Sequence, residues 1–134
     1  MFTKFINIAI AVNDIDAAIA RFHEAYGFGL ERDVFEQPGL GIRAAVLSAN
    51  GVSIELLSPL PGEKVLRKFL DTRGEGVYRM AFASNDVDGV IDSFQKTNVP
   101  FVDVSGAASL GHRILFTHPK AAHGLMVEVV ERDE

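Results

Sequence analysis

Apolar and polar positions change their period several times along the chain, and each change marks an element. Residues 5–12 alternate weakly and are rich in Ile, Val and Ala, which predicts a strand. Asn13-Asp14 then offers a helix N-cap, with Asp16 favourable to the dipole in the first turn. Ile15, Ala18, Ile19, Phe22 and Tyr26 follow at helical spacing, and Gly27 stands where a C-cap glycine belongs. Three more strands are predicted over Leu30–Gln37, Ile42–Ser48 and Val52–Leu57. Pro38-Gly39 and Asn50-Gly51 separate them, and the second dipeptide is a strong hairpin signal. After the loop from Pro59 to Gly62, Glu63–Thr72 reads as a short amphipathic helix that stops before Gly74.

The pattern then restarts. A shift of 72 sets Arg79–Phe94 beside Asn7–Phe22 without a gap, and seven of the sixteen pairs are identical. These are Ala9/Ala81, Ala11/Ala83, Asn13/Asn85, Asp14/Asp86, Asp16/Asp88, Ile19/Ile91 and Phe22/Phe94. Further on, Gly41-Ile42-Arg43 matches Gly111-His112-Arg113, and Gly51–Leu57 matches Gly124–Val130, pairing Glu55 with Glu128. A match that covers strand, cap, helix and closing strand together indicates duplication. The expected fold is therefore α+β: one domain, 1–134, of two tandem βαβββ modules, about 1–62 and 74–134, joined by a helix at 63–73.

Strand side chains alternate between faces, so the repeat also predicts a site. Ile8, Ile10 and Val12 should pack under the first helix, as should Met80 and Phe82 under the second. The opposite, open face then carries Asn7, Ala9 and Ala11 in one copy and Arg79, Ala81 and Ala83 in the other, where small residues leave room. The closing strands place Glu55 and Glu128 on that face too. Both glutamates sit inside apolar runs, Ser-Ile-Glu-Leu-Leu and Met-Val-Glu-Val-Val, where a charge seldom lacks a partner. A pseudo-twofold relation would bring Asn7, Glu55, Arg79 and Glu128 around one concave pocket in a curved mixed sheet.

Composition narrows the classes. The absence of cysteine excludes disulfides and thiolate zinc sites and fits a reducing cytoplasm. A net charge of −5 with no basic cluster argues against nucleic acid and anionic membranes. No apolar run approaches the ~20 residues that span a bilayer. Ten Phe with no Trp read as core filling.

With these segments in view, the sequence resembles the vicinal oxygen chelate superfamily, the glyoxalase and bleomycin-resistance fold, and within it the methylmalonyl-CoA epimerase branch. The likeness rests on Asn7–Val12, Ile54–Pro59, Lys68–Gly76, Met80-Ala81-Phe82 and His118-Pro119-Lys120 running on to Glu128. In that branch a divalent metal is held by a His opening each module's first strand and a Glu or Gln in each closing strand. The acidic positions are kept as Glu55 and Glu128, whereas Asn7 and Arg79 replace the two His. The branch's carboxylate base falls nearest to Ala44.

Arginine presents only donors and stays protonated, so it cannot ligate a metal, but it can balance carboxylates. The expectation is that Arg79 replaces the metal, with no cofactor needed. The alternative is a hard ion (Mg, Mn or Ca) held by oxygens of Asn7, Glu55 and Glu128. Glu55, Glu128 and Arg79 are the candidate catalytic residues, and Asn7, His112 and Arg43 the candidate substrate contacts. His112 owes its place to a pKa suited to proton transfer. Arg43 and its repeat partner Arg113 could meet an anionic tail such as a CoA phosphate. His23, His118 and His123 read as structural, and Tyr78 as a half-buried packing residue on the helix side. The resemblance implies an isomerase or lyase acting on a carbonyl or acyl-CoA compound, in a homodimer. The rival is a metal-free binding protein of the bleomycin-resistance type.

Overall fold

A computed structural model describes residues 1–104 and 112–133. It divides into two compact units, one of Asn7–Tyr78 and one of Met1–Ile6 with the chain from Arg79 onward. In the first unit, β1 (Lys4–Ala11, from Asn7 on) leads to α1 (Ile15–Tyr26). Asp14 caps α1 by accepting the Ala17 N–H at 3.1 Å, and Gly27 closes it in the left-handed region at φ 75°. Four strands follow: β2 (Gly29–Leu30), β3 (Phe35–Gln37), β4 (Ile42–Ala49) and β5 (Val52–Pro59). The sheet order is β2-β4-β5-β1, with β3 also on β4. β1 and β5 run parallel, and β4 and β5 form the hairpin that Asn50-Gly51 predicts, both turn residues having positive φ.

The strand expected over Leu30–Gln37 is broken in two. Paired residue numbers sum to 77 in β2 (Gly29 with Ser48) and to 79 in β3 (Phe35 with Ala44). The shift of 79 − 77 = 2 means that two extra residues bulge out, and the exposed Glu31-Arg32-Asp33 lie in that stretch. Periodicity cannot register such a bulge, because two residues preserve the alternation.

Two cores sandwich this sheet. Under α1 lie Val12, Ile15, Ala45, Leu47, Ile54 and Leu56, flanked by Ile10 and Phe22. The other face was expected to be open, yet Ala9, Ala11, Ala44 and Leu57 are covered by Leu66 and Leu70 of α2 (Val65–Arg73). The connecting helix thus fills the room that the small residues leave. Glu63 caps α2 by accepting the N–H groups of Val65, Leu66 and Arg67 at 2.9–3.0 Å. Tyr78 packs edge-on against Phe69 of α2 at 5.0 Å and so belongs to this face.

The second unit repeats the plan: β6 (Gly76–Ser84, from Arg79 on), α3 (Val87–Lys96), β7 (Phe101–Asp103), β8 (Ile114–Thr117), a 3-10 turn (Pro119–Ala122) and β9 (Met126–Glu131). The order is β6-β9-β8-β7, with β6 and β9 parallel and β8 and β9 antiparallel. Asp86 caps α3 through the Gly89 N–H, as Asp14 does for α1. Val87, Val90, Phe94, Leu115 and Val129 form the core under α3. Met80 and Phe82, expected there, are only half-buried. Phe82 instead stacks on Phe2 at 4.8 Å and meets Phe5 edge-on at 5.6 Å. These contacts, with the Thr3 N–H donated to Ala83 O, tie Met1–Ile6 to this unit. No helix among the described residues is long and apolar enough to cross a membrane.

Candidate functional site

The two parallel strand pairs have the same register. In the first unit Ala9 of β1 stands opposite Glu55 of β5, and in the second Ala81 of β6 stands opposite Glu128 of β9. Asn7 and Arg79 each lie two residues before that alanine, hence on the same face as the glutamate. In both units the polar residue that opens the strand reaches the glutamate of the closing strand.

In the first unit the Asn7 Nδ2 donates to Glu55 Oε2 at 3.2 Å, and the two residues are 7% and 9% exposed. Asn7 Oδ1 is buried without a hydrogen-bond partner. The amide cannot be turned round to correct this, since Oδ1 would then face the carboxylate. In the second unit Arg79 Nη1 stands 2.8 Å from Glu128 Oε2, at 5% and 8% exposure. Nη1 is off the line of an aligned N–H donation to that oxygen, so this contact is chiefly one of charge with charge. Phe116 lies beside the guanidinium, its ring centre 6.0 Å from Arg79 Cζ.

Other candidates fall elsewhere. Arg43 shares the α1 face with Ala45 and Leu47, opposite to Glu55, and its guanidinium is 3.7 Å from Asp16 in the first turn of α1. Arg43, expected as a substrate contact, thus lies on the face opposite to Glu55 and beside Asp16. Arg113 repeats the arrangement in the second unit, bonding Asp88 of α3 at 2.7 Å with Asp103 at 3.9 Å. The hydrogen bond to Asp88 raises the Arg113 pKa above its ordinary value. The equivalent Asp16/Asp88 and Arg43/Arg113 pairs thus brace each helix start against its neighbouring strand. Only their recurrence at matched positions of the two repeats could have announced this. His112, matched with Ile42 in the repeat, is half-buried just before β8, and the preceding Gly111 lies outside the described residues.

His23 is exposed on α1 with Nδ1 3.0 Å from Phe28 O, and His118 Nδ1 accepts the Lys120 N–H. His123 ends the 3-10 turn at φ 55°. A cleft of about 540 Å³ with Ile10, Val12, Asn13, Arg21 and Phe22 in its lining lies on the α1 side of the first sheet, away from Glu55.

The donor set does not suit the divalent metal that the resemblance implies. In the second unit Arg79 offers no lone pair and its charge is set against Glu128. In the first, Asn7 turns its Nδ2, a donor, to the Glu55 carboxylate, where a shared ion would need a second oxygen. Among the described residues no group of three or more His, Asp or Glu is placed to hold an ion.

Comparison with known proteins agrees with the architecture. A family model described as Glyoxalase/Bleomycin resistance protein/Dioxygenase superfamily matches residues 7–116. The ethylmalonyl-CoA/methylmalonyl-CoA epimerase of Cereibacter sphaeroides is 27% identical over 135 residues, covering 96% of this chain and 98% of its own. The crystal structure of methylmalonyl-CoA epimerase from Mycobacterium tuberculosis aligns with a TM-score of 0.83 at 33% identity, covering 99% of this chain and 90% of that one. A variant of Streptomyces coelicolor methylmalonyl-CoA epimerase in complex with 2-nitronate-propionyl-CoA aligns at 0.80 with 29% identity, over the whole of both chains.

Proposed function

The chain belongs to the glyoxalase/bleomycin resistance/dioxygenase superfamily, and from that premise we propose that it is an epimerase-like isomerase or lyase for a carbonyl compound of the acyl-CoA class, with the Arg79 guanidinium as its fixed cation. The observation that carries this reading is the buried Arg79–Glu128 contact at 2.8 Å, in the register position that Asn7–Glu55 occupies in the other repeat. The acyl-CoA class is supported by relatives whose names and ligands are CoA thioesters.

In the proposed reaction a carboxylate removes the proton α to the thioester carbonyl. The C–H electron pair moves into the C–C bond, and charge develops on the carbonyl oxygen. Return of a proton from solvent to the other face inverts the centre, and the carboxylate releases the first proton to solvent. The developing charge is assigned to the Asn7 amide in the first unit and to Arg79 in the second, where a fixed guanidinium offsets charge without reorganising. Glu128 holds that guanidinium in place. Glu55, steadied by the Asn7 amide, is assigned the proton.

Incubation with methylmalonyl-CoA in deuterated water tests the proposal. Deuterium is expected at the α-carbon, and none with Glu55→Gln. A second reading, binding without chemistry, is favoured by Ala44. It stands nearest to the branch's base and is wholly buried against Leu57. Tight binding of methylmalonyl-CoA without α-deuterium would select that reading.

A further inference from the structure

The chain is acidic, yet α2 collects cations that the rest of the fold does not pair. Lys64, Arg67 and Lys68 are exposed at spacings of three and four residues, which puts them on one side of the helix. Leu66 and Leu70 on the other side are buried on the sheet. Elsewhere Arg43, Arg79 and Arg113 each have a carboxylate within 4.0 Å. Among the described residues Lys64, Arg67 and Lys68 have none, and Arg67 Nη1 reaches only the Asn13 Oδ1 at 3.4 Å. The nearest acid in sequence, Glu63, turns its carboxylate into the helix start, where it accepts three N–H groups. Asp71 follows on the same side without closing a salt bridge to Arg67 or Lys68.

The position of α2 gives this cluster a direction. Its apolar side rests on Ala9, Ala11 and Leu57, which share a sheet face with Asn7 and Glu55. Leu57 is two residues from Glu55, about 7 Å along β5. The cationic side therefore stands roughly one helix diameter, about 10 Å, above the face that carries the Asn7–Glu55 pair.

We propose that Lys64, Arg67 and Lys68 form a subsite for the phosphates of a CoA thioester whose acyl end lies at Asn7 and Glu55. The inference rests on the acyl-CoA reading above and adds the residues that grip the tail. Exposed charges act through a screened field, so the contribution must weaken with salt.

The test measures binding of methylmalonyl-CoA and of the methylmalonyl thioester of N-acetylcysteamine, which lacks the nucleotide and phosphates. The triple variant Lys64→Gln/Arg67→Gln/Lys68→Gln is expected to bind the CoA thioester about tenfold more weakly and to lose most of its salt dependence. Its affinity for the short thioester stays that of the parent protein. Asp71→Lys is expected to tighten the CoA thioester alone. Equal affinity of the parent and triple variant for methylmalonyl-CoA overturns the subsite and leaves the acyl-CoA reading standing. An equal loss for both thioesters overturns it as well, because the cations then act elsewhere than on the tail. Failure of the parent protein to bind either thioester overturns the acyl-CoA reading and the subsite with it.

Discussion

Replacing Arg79 by alanine removes the cation of a buried pair and leaves the Glu128 carboxylate behind. Arg79 is 5% and Glu128 8% exposed, with Nη1 and Oε2 2.8 Å apart, so neither charge is well hydrated. Deleting one partner of such a pair costs about 3–5 kcal/mol, since the remaining charge keeps its desolvation penalty without the compensating field. At roughly 3–5 °C per kcal/mol for a chain of this length, Tm should fall by about 9–25 °C. Removing both charges is different. Arg79→Met with Glu128→Leu restores an apolar contact of similar volume and is expected within about 1 kcal/mol of the parent protein. Urea unfolding of the parent, Arg79→Met, Glu128→Leu and the double variant closes a double-mutant cycle, provided the m-value is constant. If Arg79→Ala unfolds within about 1 kcal/mol of the parent, the reasoning is refuted, and Arg79 is no buried counter-charge to Glu128.

Asn7→Asp places a second carboxylate against Glu55 and deletes the donor between them. The loss should be about 1–3 kcal/mol at neutral pH, and an unchanged urea midpoint would count against the Asn7–Glu55 contact. Leu66→Ala should cost about 2–5 kcal/mol, because Leu66 is 1% exposed between α2 and the sheet; a cost under 1 kcal/mol would mean that α2 does not cover that face. Arg43→Ala should change stability by less than about 1 kcal/mol and leave methylmalonyl-CoA affinity unaltered, whereas a tenfold loss of affinity would return Arg43 to the ligand.

Much of this arrangement was legible in the residues alone. Asp14 and Asp86 read as caps because an acceptor was needed ahead of two apolar helical stripes, and both accept the expected N–H. That Asn7, Glu55, Arg79 and Glu128 share one kind of face followed from alternation within a repeat, whereas the partner each one meets, Asn7 with Glu55 and Arg79 with Glu128, is settled by the strand pairing. What alternation cannot fix is what covers that face. The stripe Leu66, Phe69, Leu70 announces that α2 has a buried side, but the loop before it decides which sheet face it lands on. Here it closes over Ala9 and Ala11, so the space inferred from small residues is occupied. The face of Arg43 and Arg113 stayed open for a related reason. Their strands could have shown them to either face, and the partners Asp16 and Asp88 are distant in sequence. The packing of Phe82 with Phe2 and Phe5 reflects contacts of the first six residues, which have no counterpart in the repeat pattern.

The central claim is that the positive charge beside Glu128 is a guanidinium and not a divalent ion. The metal content of the untagged protein, purified without chelators and measured with its activity on methylmalonyl-CoA, tests it most directly. The expected result is far less than one divalent ion per chain, with any α-proton exchange insensitive to chelator. One tightly held divalent ion per chain, with exchange lost on its removal and restored on its return, would contradict it.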